Sequence, residues 1–211
     1  MGRTFESSPV HQRSSLMTTS FLLFNKKYII GISDGMGSGQ EADKNSKLVI
    51  NMLEKFLKSG FNKDTAIKLI NSVLLLKSDQ DSFATMDISV VDTQTGNVEF
   101  VKVGACPTFI KKKDRVEFIN SISLPVGIID NIDIDLCDKK LEDGDLLIMV
   151  TDGIIDSNKE LSELWIKELL ENTDIDNPQR LADVIIQESV DNTYGVAKDD
   201  MTVVVSKINQ N

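Results

Sequence analysis

The segment GDLLIMVTDGI, residues 144–154, decides the reading of the whole chain. Its five consecutive apolar residues, Leu146 to Val150, describe a strand buried on both faces, and that strand runs out on Asp152-Gly153. The same ending occurs near the start, where ISDGMGSG (32–39) carries an apolar run out on Asp34-Gly35. A third carboxylate, Asp199, stands directly before the closing apolar run in KDDMTVVV (198–205). Taken singly, Asp-Gly is a common way to leave a strand. The recurrence shifts the reading: a carboxylate at a strand end lies where core meets solvent, and a following glycine lets backbone carbonyls approach an ion closely. Hard oxygen donors without His or Cys select magnesium or manganese over zinc.

Working outward, Ser20–Phe24 and Tyr28–Ser33 flank the polar Asn25, Lys26 and Lys27, which is hairpin spacing. After the glycine-rich loop, Leu48, Met52 and Phe56 alternate with Val49, Leu53 and Leu57 at steps of four. These positions form one helical stripe that begins near Ser38 and stops at Gly60. Asn62 caps a second predicted helix running to about Lys77. The period then changes to two: Ile88–Val91, Val98–Val103, Phe109–Lys112, Val116–Ile119 and Leu146–Val150 read as strands of an antiparallel meander. Helices return with Leu161, Leu164, Trp165 and Leu169, and again after Pro178, before a last strand from Met201 to Ile208. Strands and helices are grouped rather than alternating, so the class is α+β, antiparallel sheets with helices packed outside. Residues 1–17 show no sustained period and are read as a polar leader outside the fold, disordered or foreign to the native chain.

With 211 residues, 41% apolar, the chain suffices for one domain with a buried core. A formal charge of -10 repels a phosphate backbone, which argues against nucleic acid as a partner. A single histidine, His11, lies in the leader, and Cys106 and Cys137 belong to no CxxC pair. Imidazole-assisted nucleophiles and zinc knuckles are thereby disfavoured, and a reducing cytoplasm fits.

At this point the chain resembles the metal-dependent PPM (PP2C-like) phosphatases, and within them the branch serving bacterial sporulation and stress responses. The resemblance runs from about Ser20 to Ile208. It is carried by SDGMGSG (33–39), AIKLINSVLLLKS (66–78), VKVGACPTFIKK (101–112), SLPVGI (123–128), GDLLIMVTDGI, NPQRLADVI (177–185) and KDDMTVVV. It implies that residues 18–211 form two packed antiparallel β-sheets flanked by helices on both sides, an α-β-β-α sandwich. It also implies a two-ion centre of manganese or magnesium. Asp34 bridges the ions, the Gly35 carbonyl ligates one, and Asp152 and Asp199 complete the other. A hydroxide bridging the cations then attacks phosphorus directly, which needs no histidine or cysteine. By the same resemblance the substrate is a phosphoserine on a small anti-sigma factor antagonist, and its removal controls activation of a sporulation sigma factor. The intact protein would carry a membrane region ahead of this cytoplasmic domain, and a homodimer is compatible with the reading. Two positions depart from the family pattern: Met36 stands where many members have His, and Met17-Thr18-Thr19-Ser20 where close relatives have Gly-Asp.

Two rivals compete. Gly37, Gly39 and Ala42 fit a dinucleotide-binding GxGxxA, but that fingerprint wants a second parallel strand ending in an acid, whereas a second helix follows here and Glu54 lies mid-helix. A phosphatase-like binding module without turnover is the other. Among single residues, Asp87 and Asp200 read as outer carboxylates or as solvated charges, Cys106 as a small core or turn residue, and Lys111–Lys113 as a solvated hairpin tip.

Overall fold

The computed structural model describes residues 3–12, 17–24, 26–36, 40–77, 82–196 and 199–210. By contact density the chain divides into two compact units: Met1–Ser15, Cys106–Asn120 and Lys140–Asn211 form one, and Leu16–Ala105 with Ser121–Lys139 the other. Each unit holds one five-stranded antiparallel sheet with helices against it, which is the α+β architecture expected.

In the second unit the sheet runs β2 (Met17–Phe24), β3 (Lys27–Asp34), β4 (Met86–Asp92), β5 (Asn97–Val103) and β8 (Asp135–Lys140), in that spatial order. The β2–β3 register sets Phe24 against Lys27, a two-residue turn, and Lys26 adopts φ 62 as a tight hairpin requires. Two helices, α1 (Gln40–Lys58) and α2 (Lys63–Leu76), cover one face. Acidic Glu41 and Asp43 open α1, and Lys55 and Lys58 close it, complementing the helix dipole. The Asn62 side chain accepts the Thr65 N–H at 2.8 Å and starts α2 where predicted. Val49, Leu53, Ile67, Ile70 and Leu74 pack from the helices onto Ile88, Val101 and Val103 of the sheet.

In the first unit the order is β1 (Arg3–Gln12), β10 (Met201–Gln210), β9 (Leu146–Val150), β6 (Thr108–Lys111) and β7 (Val116–Ile119). The helices are α3 (Asp152–Ile155), α4 (Leu164–Glu171) and α5 (Pro178–Asn192). The core joins Trp165, Ile166, Leu181 and Ile185 to Phe109, Ile148, Val203 and Val205. Lys111 donates to the carbonyls of Leu170 (2.6 Å) and Thr173 (2.7 Å) and so closes the C-terminal end of α4.

Four expectations change. The segment read as a leader outside the fold contributes β1, which pairs with β10 over ten residues. A strand whose partner supplies both register and hydrogen bonds needs no apolar period of its own. The five central strands are not one meander: β4 and β5 pair in one sheet, β6, β7 and β9 in the other. Strand β8 escaped notice because its residues are half-buried or exposed along its whole length and Leu136 is its one aliphatic residue. Asp152, read as the end of a strand, lies two residues past Val150, where β9 stops, and opens the helical turn α3. Among the described residues α1 is followed by α2 and then by β4, which pairs antiparallel with β3, and this removes the dinucleotide reading.

Candidate metal centre

Asp34 is half-buried at the end of β3. Its N–H donates to Thr85 Oγ1 (3.0 Å), and its carbonyl accepts the Thr85 N–H (2.8 Å), so its backbone is held from one neighbouring residue on both sides. The Ser33 hydroxyl donates to the Thr85 carbonyl (2.8 Å), and the Met36 N–H to the Phe83 carbonyl (3.0 Å). Between them Gly35 is buried and bridged to Ala84. A Cβ on Gly35 would lie 1.9 Å from the Ala42 carbonyl oxygen on α1, so no other residue fits there without moving the helix or the loop. Met36 is exposed.

In the other unit the β9–β10 register sets Val150 against Val203, which carries Asp152 and Asp199 to the same end of the sheet. Thr151 stitches that end: its N–H donates to the Thr202 carbonyl (3.3 Å), and its Oγ1 accepts the Thr202 N–H (3.0 Å). Gly153 then packs so closely on the preceding loop that a Cβ would meet the Asp200 carbonyl oxygen at 2.3 Å and the Asp199 Cβ at 3.3 Å. Asp152 and Asp199 are thus neighbours because a glycine follows the first of them. Each turns one oxygen to a local amide: Asp152 Oδ1 accepts the Gly153 N–H, and Asp199 Oδ1 the Asp200 N–H, both at 2.8 Å. Trp165 Nε1 donates to the Ile155 carbonyl (3.4 Å) and ties α3 to α4 from behind. Beside the carboxylates lies a cavity of about 150 Å³ lined by Gly153, Asp156, Ser157, Lys159, Thr193 and Asp199.

Of the four donors singled out in the sequence, Asp152 and Asp199 are brought together in one unit, and Asp34 and Gly35 belong to the other. Within neither unit do three Asp, Glu, His or Cys side chains among the described residues gather as metal ligands. The donor set suits hard divalent cations: carboxylates and a carbonyl on backbone that the two glycines lock in place, without imidazole or thiolate. Asp156 and Lys159 were passed over in the sequence; the signal for Asp156 was its place one helical turn after Asp152. Asp87 is accounted for differently, since its carboxylate takes the Lys102 ammonium at 2.7 Å across β4 and β5, both groups fully buried. Cys106 is half-buried against the core of its unit.

The stage II sporulation protein E (SpoIIE) family profile matches residues 25–209. Stage II sporulation protein E of Bacillus subtilis (strain 168) is 40% identical over 188 residues, 88% of this chain and 23% of that protein. The protein of the same name from Priestia megaterium is 38% identical over 187 residues, 88% of this chain and 32% of that protein. The chain spans about a quarter to a third of the length of these relatives. Among solved structures, the PP2C phosphatase domain of SpoIIE from Bacillus subtilis with a fragment of its regulatory domain matches with a TM-score of 0.91 at 37% identity, covering 100% of this chain and 64% of that one. RsbX in complex with magnesium shares the fold at a TM-score of 0.72 and 16% identity, covering 99% and 96%.

Proposed function

Because the chain belongs to the stage II sporulation protein E family, we propose that it is a metal-dependent protein serine/threonine phosphatase acting on a phosphoserine of a small anti-sigma factor antagonist. The observation that supports the reading is the packing of Gly153, the residue after Asp152, against Asp199 and Asp200. Asp34, the Gly35 carbonyl, Asp152 and Asp199 hold two manganese or magnesium ions in this reading. Such a pair supplies a water acidic enough to ionise near neutral pH and positive charge opposite the equatorial phosphoryl oxygens.

The chain's own contribution is positional. Thr85 fixes the backbone of Asp34 from both sides, and the Gly153 and Asp200 amides orient the other two carboxylates. Side chains held this way lose little freedom when a ligand arrives, which is where enzymes gain rate by orientation. The Met36 side chain has no proton to give, so the departing serine alkoxide takes its proton from water rather than from that position. In the same reading the domain works in the cytoplasm as part of a longer, membrane-anchored sporulation protein. Among the described residues, no helix is long and apolar enough to cross a membrane.

Release of phosphate from a phosphoserine-bearing antagonist protein tests the proposal. The wild-type chain turns over with manganese and stops on chelation, and Asp152→Asn falls to background. A rate that needs no metal, or one that Asp152→Asn leaves intact, contradicts it.

A further inference from the structure

Resting on the phosphatase reading, the geometry points to Lys159 as a specificity-determining residue that reads an acidic side chain flanking the phosphoserine of the substrate. Among the described residues, Lys159 is the one basic residue lining the cavity beside Asp199. It is exposed, and among the described residues it makes no ion pair, although Asp156 and Asp199 line the same cavity. Its position is not arbitrary. Asn158 Oδ1 accepts the Leu161 N–H (3.2 Å), and the Asn158 carbonyl accepts the Ser162 N–H (2.9 Å), so the turn that carries Lys159 is closed on itself.

The charge around it explains what such a lysine does. The chain carries a net charge of -10, and Asp152, Asp156, Asp199 and Asp200 stand around α3 and the start of β10 at this end of the unit. The charge of bound divalent ions is matched by their carboxylate ligands and the transferring phosphoryl group, which leaves little of it for a carboxylate one or two residues away on the substrate. An acidic flank therefore meets repulsion at this surface unless a cation faces it, and among the described residues Lys159 is the cation placed to do so. A rim charge of this kind acts on encounter and selectivity more than on the chemical step, and an exposed ion pair corresponds to about a two- to fivefold effect.

Two synthetic phosphoserine peptides separate the possibilities, one with aspartates flanking the phosphoserine and one with asparagines in their place, alongside p-nitrophenyl phosphate, all with manganese. Wild type is expected to prefer the acidic peptide through a lower KM. In Lys159→Gln that preference disappears while kcat and p-nitrophenyl phosphate hydrolysis are kept, and Lys159→Arg restores it. Equal KM values for the two peptides in wild type overturn the inference, and so does a loss in Lys159→Gln that extends equally to p-nitrophenyl phosphate. If wild type hydrolyses none of the three, the phosphatase reading itself has failed.

Discussion

At the scale of single residues, the glycines after Asp34 and Asp152 do the same job by the same means. Each removes a side chain where a carbonyl oxygen already sits, Ala42 in one unit and Asp200 in the other. A methyl group at either place must push backbone, which costs about 1–3 kcal/mol in a tightly packed site. Gly153→Ala is therefore expected to lower the unfolding midpoint and, at temperatures where it is folded, to weaken manganese binding by separating Asp152 from Asp199. Calorimetry on the folded variant measures both. Unchanged metal affinity in Gly153→Ala would show that the neighbouring placement of the two carboxylates is incidental. These aspartates were legible in the sequence because a strand end followed by glycine leaves a local mark. The partner of Asp87 was not: nothing local says that Lys102, fifteen residues on, faces it across the β4–β5 pair.

At the scale of elements, that buried pair makes a sharp prediction. Removing one partner leaves an uncompensated charge in the core, so Lys102→Met is expected to destabilise by about 3–5 kcal/mol. Asp87→Leu combined with Lys102→Met should recover most of the loss in a chemical denaturation series, since two apolar side chains need no solvation. A second element, the loop ahead of β8, hangs on Asp135. Burial pushes its carboxyl up, but the hydroxyls of Ser121 and Ser123 and the N–H groups of Ser123 and Ile122 donate to it and hold it below the usual carboxylate range overall. A depressed folded value means that the anchor's stability is fully present above the unfolded carboxylate pKa of about 3.9 and is lost as pH falls through the lower folded value. The difference in stability between wild type and Asp135→Asn, about 1–2 kcal/mol after discounting for partial exposure, should thus be constant near neutral pH and shrink below about pH 4. An undiminished difference in acid would refute the anchor. The helices were readable because α1 carries a continuous apolar stripe and α2 and α5 begin on asparagine caps. Strands β1 and β8 were not, because their pairing is supplied by a neighbour distant in sequence.

At the scale of the whole molecule, grouping of strands and helices gave the α+β class and antiparallel pairing, but local period cannot say which sheet a strand joins. The chain leaves one sheet after β5, enters the other at β6, returns for β8 and leaves again for β9. Two strands with the same alternation look alike whichever sheet receives them. The lysine run 111–113 shows the same limit, since Lys111 closes α4 while the sequence offers only a charged hairpin tip. What the distribution of donors does say is that neither unit carries the proposed ligand set alone: Asp34 and Gly35 come from one, Asp152 and Asp199 from the other.

Calorimetric titration of the chain with manganese asks the central question most directly. The account predicts two ions bound per chain, with binding weakened by Asp34→Asn and by Asp152→Asn alike although these residues lie in different units. Wild type that binds no manganese, or variants that bind it as wild type does, would contradict the proposed metal ligands.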